Sequence, residues 1–346
     1  MPQPSCSLRP LHLAFALDGP PRRARRAPEL YDPEHYVRLA RLAERGTLDF
    51  VTLGDSFARP GPDALAVLAR VAPRTGRLGL VPAVTTTHTE PFHVSTAVNT
   101  LDWVSRGRAG WTVEVSGTPA EARLFGRRDA APADALWREA GEVADVAARL
   151  WDSWEDDAEI RDTATGRFVD RDKLHHVDFR GTSFSVRGPS ITPRPPQGRP
   201  VVAVDATARP ARQVAAAHAD VAFVRVEDPA TAAAARADLR ERARSLGRDP
   251  DRLLVLASLP VELYCSGDAV GLADLLGDWH ADGAGDGFHL RPADPARDLA
   301  LLVDGTVPVL QHRCLLRRFY PGTTLREHLG LPRPANRYAP ARKVSS

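Results

Sequence analysis

The sequence has few cysteines, and they are not arranged for a cross-link or a metal. Its 346 residues include three, Cys6, Cys265 and Cys314, which lie far apart and are odd in number. No metal-ligand spacing or disulfide framework is visible, so we expect neither a bound metal nor a structural disulfide. A reducing cytoplasm is therefore the expected compartment.

Long apolar runs and segregated charge are also missing. No stretch of about 18 apolar residues occurs, so we expect no membrane-spanning helix, and residues 1–20 lack the pattern of a signal peptide. Only two of the 46 basic residues are lysines, and 44 acidic residues balance them to a net charge of +2. Because the charges are mixed, we expect no nucleic-acid binding. The basic run at 22–26 is expected to be a solvated loop, with phosphate binding as the alternative.

What the sequence does have is a regular alternation of short apolar runs and helical patterns. The alternation predicts a single (β/α)8 barrel domain, a TIM barrel, over residues 1–346. A hairpin excursion is predicted as an insertion at about 160–199, between the fourth and fifth strands. The eight predicted strands are 11–17, 50–53, 78–84, 109–115, 200–204, 221–226, 253–263 and 285–290.

Polar side chains follow four of these predicted strands. Asp55, Thr85, Ser116 and Thr207 come at or just after the ends of the second, third, fourth and fifth strands. The carboxyl ends of barrel strands meet at one rim, which is where barrel enzymes carry their sites. We therefore expect these four residues to line one pocket. For Asp55 the alternative is a turn or helix cap, a role that aspartate often fills.

Three segments carry a family resemblance. They are TTHTEPF at 86–92, LDWVSRGRAGW at 101–111 and LWDSWEDDA at 150–158. Together they resemble the signature of bacterial-luciferase-like flavin monooxygenases. The most similar branch is the one that contains nitrilotriacetate and dibenzothiophene-sulfone monooxygenases.

The resemblance implies a flavin-dependent monooxygenase that acts on a small organic substrate. Such an enzyme uses O2 and reduced FMN, which a separate flavin reductase supplies, and it would be a homodimer joined through the helix predicted from Pro91. The cofactor-binding positions that it implies are Asp55, Thr85, Ser116, Trp137, Ala206 and Thr207. Glu90 also matches the family, either as a pocket residue or as a helix cap. No catalytic side chain is identified.

The chain departs from the family at several of these positions. Ala133 stands where relatives have His, Trp137 where they have Tyr, and Ala206 where they have a phosphate-loop glycine. Asp205 adds negative charge beside that loop. These departures predict that oxidised FMN binds weakly, with a dissociation constant above about 1 μM. They also leave two alternatives open: a flavin-poor, non-catalytic or accessory relative, and a deazaflavin-dependent oxidoreductase on the same barrel.

Overall fold

A closed barrel of eight parallel strands forms the centre of the molecule. The computed structural model describes residues 10–19 and 30–339, so the basic run at 22–26 lies outside the described residues. The predicted (β/α)8 fold is confirmed. Around the barrel the strands follow their order in the chain: β1 His12–Ala16, β2 Phe50–Leu53, β3 Gly79–Thr85, β4 Gly110–Glu114, β9 Val201–Asp205, β10 Val221–Arg225, β11 Leu254–Val261 and β12 Gly287–Pro292.

Helices follow the barrel strands and cover their outer faces. The longer ones are α1 Pro33–Arg45, α2 Ala64–Val71, α3 Pro91–Ser105, α5 Ala133–Asp152, α6 Arg209–His218, α7 Pro229–Ser245 and α8 Ser266–Ala281. The shorter ones are α4 Pro119–Phe125, α9 Pro295–Leu301, α10 Val307–His312 and α11 Leu325–His328, with a π-helical turn at Leu302–Thr306. Within the described ranges, none of these helices has the length and apolar content to cross a membrane.

The insertion between the fourth and fifth barrel strands contains two small antiparallel sheets. Strand β5 Glu159–Asp162 pairs with β6 Arg167–Val169, and β7 Phe179–Arg180 pairs with β8 Ser185–Val186. Val177 and Val186 pack against the buried face of α5. The predicted excursion is therefore present and lies outside the barrel wall.

Three barrel strands begin with the same polar arrangement. Asp49, Asp220 and Asp286 directly precede β2, β10 and β12. Each carboxylate accepts a hydrogen bond from an amide of the neighbouring strand and forms an ion pair with an arginine. The amides belong to Leu13 (2.8 Å), Val202 (3.0 Å) and Val255 (2.8 Å), and the arginines are Arg317, Arg326 and Arg236.

The C-terminal segment closes the amino-terminal end of the barrel. Leu325 and Leu329, on and just after α11, pack against inward-facing residues that include Phe50 and Val81. Arg326 on the same helix bonds both oxygens of Asp220, at 3.1 and 2.8 Å. Because this end is filled, the open space of the barrel lies at the carboxyl ends of the strands.

Candidate functional site

A cavity of about 880 Å³ opens at the carboxyl ends of the strands. All eight barrel strands contribute to it, each with residues at or just beyond its last position. Its polar lining residues include, in strand order, Asp18, Asp55, Thr85, Glu114, Ser116, Asp205, Arg225, Ser258 and Arg291. This is the rim at which barrel enzymes place their chemistry.

Three of the residues predicted from strand ends meet in this cavity. Asp55, Thr85 and Ser116 all line it, and the hydroxyl oxygens of Thr85 and Ser116 lie 2.8 Å apart. The Asp55 carboxylate also accepts a hydrogen bond from the amide of Ala64 at 3.0 Å, at the first residue of α2. Asp55 therefore lines the cavity and also accepts a hydrogen bond at the start of α2.

Three other predicted residues are not among those that line the cavity. Ala206 and Trp137 are 0% and 8% exposed and belong to the core between the barrel and its helices. Thr207 is exposed, and its hydroxyl accepts a hydrogen bond from the amide of Arg225 at 2.9 Å. Successive side chains of a strand point to opposite faces, so Asp205 enters the cavity while Ala206 turns into the core.

Glu90 also lies apart from the cavity lining. It is exposed and occupies the position before α3, without a side-chain hydrogen bond to the helix. Its carboxylate therefore caps no amide, and the structure shows Glu90 in neither of the two roles that were left open.

The Asp205 carboxylate occupies hydrogen-bond donors in and beside the loop after β9. Asp205 Oδ1 accepts a hydrogen bond from the amide of Thr207 at 3.0 Å, and its Oδ2 lies 2.9 Å from Arg225 Nη2. Arg212, which could have offered compensating charge, bonds Asp238 and the carbonyl of Ala206 instead. Two donors that an incoming phosphate could use near this helix start, the amide of Thr207 and the guanidinium of Arg225, are thus already engaged by Asp205.

A buried hydrogen-bonded chain crosses the floor of the cavity. His289 Nε2 lies 2.9 Å from the Thr52 hydroxyl and its Nδ1 lies 3.2 Å from that of Ser258, while Arg291 Nε donates to Ser258 at 3.1 Å. The imidazole stacks on Phe223 at 4.4 Å between ring centroids. Burial, helped by the charge of Arg291, lowers the pKa of His289 to about 3. His289 is therefore neutral at physiological pH.

Glu114 stands out among the acidic residues of the cavity. It is the last residue of β4, and its side chain forms no hydrogen bond or ion pair with any residue in the described part of the chain. Burial, and then the negative charge of Asp205, raise the pKa of Glu114 to about 7. The carboxyl group is therefore in a mixed charge state near neutral pH.

Sequence reasoning did not single out Glu114, Arg225, Arg291 or His289 as site residues. Glu114 and Arg225 are the last residues of their strands, and Arg291 is the last but one of β12. Thr85 and Ser116 were selected because they are polar residues at or just after strand ends, and the same criterion applies to Glu114, Arg225 and Arg291. His289 lies two positions before Arg291, on the same face of β12, and that alternation was the available signal.

The cavity fits a flavin ring system, but the β9 loop does not offer an open phosphate site. A volume of about 880 Å³ falls within the range of roughly 300–1,000 Å³ that is usual for small-molecule sites. Thr85, Ser116 and Arg291 supply hydrogen-bond donors, and Leu53 and Phe223 supply apolar surface. At the β9 loop, in contrast, Asp205 already takes the place of an anion.

Comparisons with known proteins agree with this architecture. The model of the luciferase-like monooxygenase family matches residues 15–266. N-acetyl-S-(2-succino)cysteine monooxygenase of Bacillus subtilis (strain 168) is 29% identical, with 88% of this chain and 91% of that protein covered. Nitrilotriacetate monooxygenase component A of Aminobacter aminovorans is also 29% identical, over 89% of this chain and 92% of that protein. The predicted resemblance is confirmed.

Among solved structures, the long-chain alkane monooxygenase LadA superposes with a TM-score of 0.85. It covers 93% of this chain and 96% of its own, at 23% identity. At that identity the likeness concerns the fold alone.

Proposed function

The chain belongs to the luciferase-like monooxygenase family, and we propose that it uses reduced FMN and O2 to oxygenate a small organic substrate. The observation that carries this proposal is the cavity at the carboxyl ends of the strands, most of whose lining lies inside the stretch that the family model matches. When bound, reduced flavin would supply the electrons and the reaction with O2. The protein would bind the reactants, orient them and exclude water.

We assign the flavin contacts to Asp55, Thr85 and Ser116. All three line the cavity, and the paired hydroxyls of Thr85 and Ser116 are free to turn toward a ring carbonyl or nitrogen. Arg291 contributes fixed positive charge on the β12 wall, where it would stabilise negative charge on a reduced ring. Ala206 and Trp137 would support the site only indirectly, through the core that they fill.

We further propose a separate flavin reductase, a homodimer and a cytoplasmic location. A relative that is named as component A of its monooxygenase supports the reductase. Trp103 and Val104 on α3, 45% and 47% exposed, supply apolar surface for a dimer contact through that helix. Cys265 and Cys314 are free thiols, which suits a reducing compartment. For the dimer, a monomeric mass in light scattering at micromolar concentration would contradict the proposal.

The function is tested by titrating the protein anaerobically with FMN and following the flavin absorbance. We expect reduced FMN to bind more tightly than oxidised FMN, because Arg291 favours a negatively charged ring. Thr85→Val with Ser116→Ala should weaken binding of the reduced form about tenfold, since each removes a hydrogen bond at the ring. Glu90→Gln, which changes an exposed residue away from the cavity, is the control.

Two outcomes would overturn this function. A protein that binds neither redox form of FMN would be the flavin-poor, accessory relative. One that binds a reduced deazaflavin in preference to FMN would be a dehydrogenase or reductase on the same barrel. Admitting O2 to the reduced complex further distinguishes a flavin monooxygenase from a deazaflavin enzyme, because only the flavin enzyme should consume O2 rapidly.

A further inference from the structure

Every carboxylate that lines the cavity is held by a partner, with the exception of Glu114. Each of the others binds an amide, a hydroxyl or a guanidinium within the described residues. The pairs are Asp18 with the amide of Gly54 (2.9 Å), Asp55 with the amide of Ala64 (3.0 Å), Glu121 with the hydroxyl of Thr118 (2.8 Å), Asp205 with Arg225 (2.9 Å) and Glu262 with the hydroxyl of Tyr264 (2.5 Å). Glu114 has no hydrogen bond or ion pair of this kind.

The cations near Glu114 do not fill this gap. Arg225 is committed to Asp205 at 2.9 Å. Arg59 is exposed, at the rim, and forms no ion pair in the described part of the chain. Arg291 lies on β12, and around the barrel β12 and β4 are separated by three strands on either side. It therefore belongs to the opposite wall.

The balance of charge in the cavity also favours a cationic ligand. Among the residues that the structure describes, its lining includes six carboxylates, namely Asp18, Asp55, Glu114, Glu121, Asp205 and Glu262, and three arginines, namely Arg59, Arg225 and Arg291. A ligand anion placed at Glu114 would be repelled by Asp205 as well. A neutral ligand without a hydrogen-bond donor would leave the carboxylate desolvated and unpaired, which is costly in a partly enclosed site.

We propose that the cavity recognises a substrate that carries a protonated amine, and that Glu114 binds the ammonium group. This inference rests on the proposed function only in treating the cavity as the substrate site. An ammonium ion offers three donors and a full positive charge, and a charge-assisted hydrogen bond to a carboxylate is about twice as strong as a neutral one. Glu114 thereby sets the substrate class, and because it pairs in register with Thr85 it would hold the ammonium group beside the proposed flavin contacts.

The test measures the binding of three shape-matched probes to the full-length protein without flavin. The probes are 2-phenylethylamine, 2-phenylethanol and phenylacetate. Their binding is measured by calorimetry at about pH 8, where an alkylamine keeps its proton. We expect the amine to bind about tenfold more tightly than the alcohol, because it adds a charge-assisted bond, and phenylacetate to bind weakest. Glu114→Gln should abolish the preference for the amine, and Glu90→Gln should keep it.

Lowering the pH to about 6 should weaken the preference in the unmodified protein. Burial raises the pKa of Glu114 to about 7, so the carboxylate is lost over this interval while the amine stays protonated. The charged groups that act on Glu114 are Asp205, Arg225, Arg59 and Asp18. None of them is changed in the Gln variant, so a pH effect that Glu114→Gln abolishes belongs to Glu114 itself.

Three results would overturn the inference: equal affinity for the amine and the alcohol, an amine preference that survives Glu114→Gln, or no binding of any probe at millimolar concentration. A single cooperative thermal transition of the Gln variant at about pH 6, with a midpoint no lower than that of the unmodified protein, establishes that the variant folds. Because no flavin is present, a negative result leaves the proposed function standing. Failure of flavin binding would likewise leave the amine site intact.

Discussion

Two carboxylates at opposite ends of the barrel differ in whether they have ionic and hydrogen-bond partners. At the amino-terminal end, Asp49 accepts the amide of Leu13 and pairs with Arg317 and His12. At the carboxyl end, Glu114 lies in the cavity with no such partner. Burial alone would raise the pKa of Asp49, but Arg317 and His12 overcome it and hold that pKa well below its usual range. The pKa of Glu114, which lacks this compensation, rises to about 7.

This difference indicates that the paired carboxylates at the strand starts serve stability, whereas the unpaired carboxylate in the cavity serves ligand binding. A paired carboxylate at a strand start fixes one strand against its neighbour, and the same device recurs at Asp220 and Asp286. An unpaired carboxylate in a cavity costs stability and is retained where a ligand completes it. The comparison therefore predicts opposite signs for neutralising mutations at the two ends.

The largest effect is expected from Asp49→Asn. The substitution leaves Arg317, whose side chain is 14% exposed, without its counter-charge. Breaking a buried ion pair costs about 3–5 kcal/mol of unfolding free energy, to be measured by urea denaturation near neutral pH. Asp304→Asn is the matched control, because Asp304 and Arg45 form a pair that is more than half exposed and should be worth less than about 1 kcal/mol.

If Asp49→Asn lowers the free energy of unfolding by less than about 1 kcal/mol, the contrast between the two ends is wrong, because the pairing of Asp49 then contributes little to stability. The pH dependence gives a second check. A carboxylate whose folded pKa is depressed contributes stability above its unfolded pKa, about 3.9, and that contribution disappears as the pH falls below it. The Asn variant should therefore approach the unmodified protein in stability as the solution becomes acidic.

The opposite sign is expected from Glu114→Gln. The folded pKa of about 7 exceeds the unfolded value of about 4.3, so the folded state keeps its proton to higher pH. Raising the pH from about 5 to above 7 therefore lowers the stability of the unmodified protein. The Gln variant lacks this loss, and we expect it to be more stable by about 1–3 kcal/mol at about pH 8.

The pH dependence of the difference between the two proteins provides the control. Asp102, whose pKa burial also raises to about 7, is present in both, so its titration cancels. The stability difference should shrink toward zero as the pH falls below about 4, where Glu114 is protonated in the folded state and largely so in the unfolded one. A Gln variant that is less stable than the unmodified protein at about pH 8 would mean that Glu114 has a structural role.

Much of the fold followed from patterns that are local in the sequence. The predicted second strand, 50–53, coincides with β2, because a strand buried on both faces is a continuous apolar run between turn residues. The same reasoning located Asp55, Thr85 and Ser116 at one rim. Asp49 and Arg317 could not be paired in this way, because they are far apart in the chain and only the closed barrel brings them together.

The site residues that sequence reasoning misplaced lie at element boundaries. The fifth predicted strand ended at Val204, whereas β9 ends at Asp205, and the alternation along β9 turns Asp205 into the cavity and Ala206 away from it. Helix α5 begins at Ala133, which places Trp137 on its buried face. Element ends depend on tertiary contacts more than element centres do.

The smallest expected effect tests Asp205, the carboxylate at the cavity end that does have partners. Its oxygens hold the amide of Thr207 and the guanidinium of Arg225, which are the groups that a flavin phosphate would need at this loop. Asp205→Ala should free both groups. Because Arg225 is more than half exposed, leaving it unpaired costs little.

We therefore expect Asp205→Ala to raise the affinity for oxidised FMN about tenfold, since one regained bond to a charged group is worth about 1.5–3 kcal/mol before desolvation of the phosphate. Riboflavin has no phosphate, and its affinity should stay unchanged in the same titration. Asp205→Asn removes the charge but keeps an acceptor for Thr207, so it should give a smaller gain. If the ratio of the affinities for FMN and riboflavin does not change in Asp205→Ala, the phosphate binds elsewhere. If the unmodified protein binds oxidised FMN with a dissociation constant below about 1 μM, Asp205 does not block the loop.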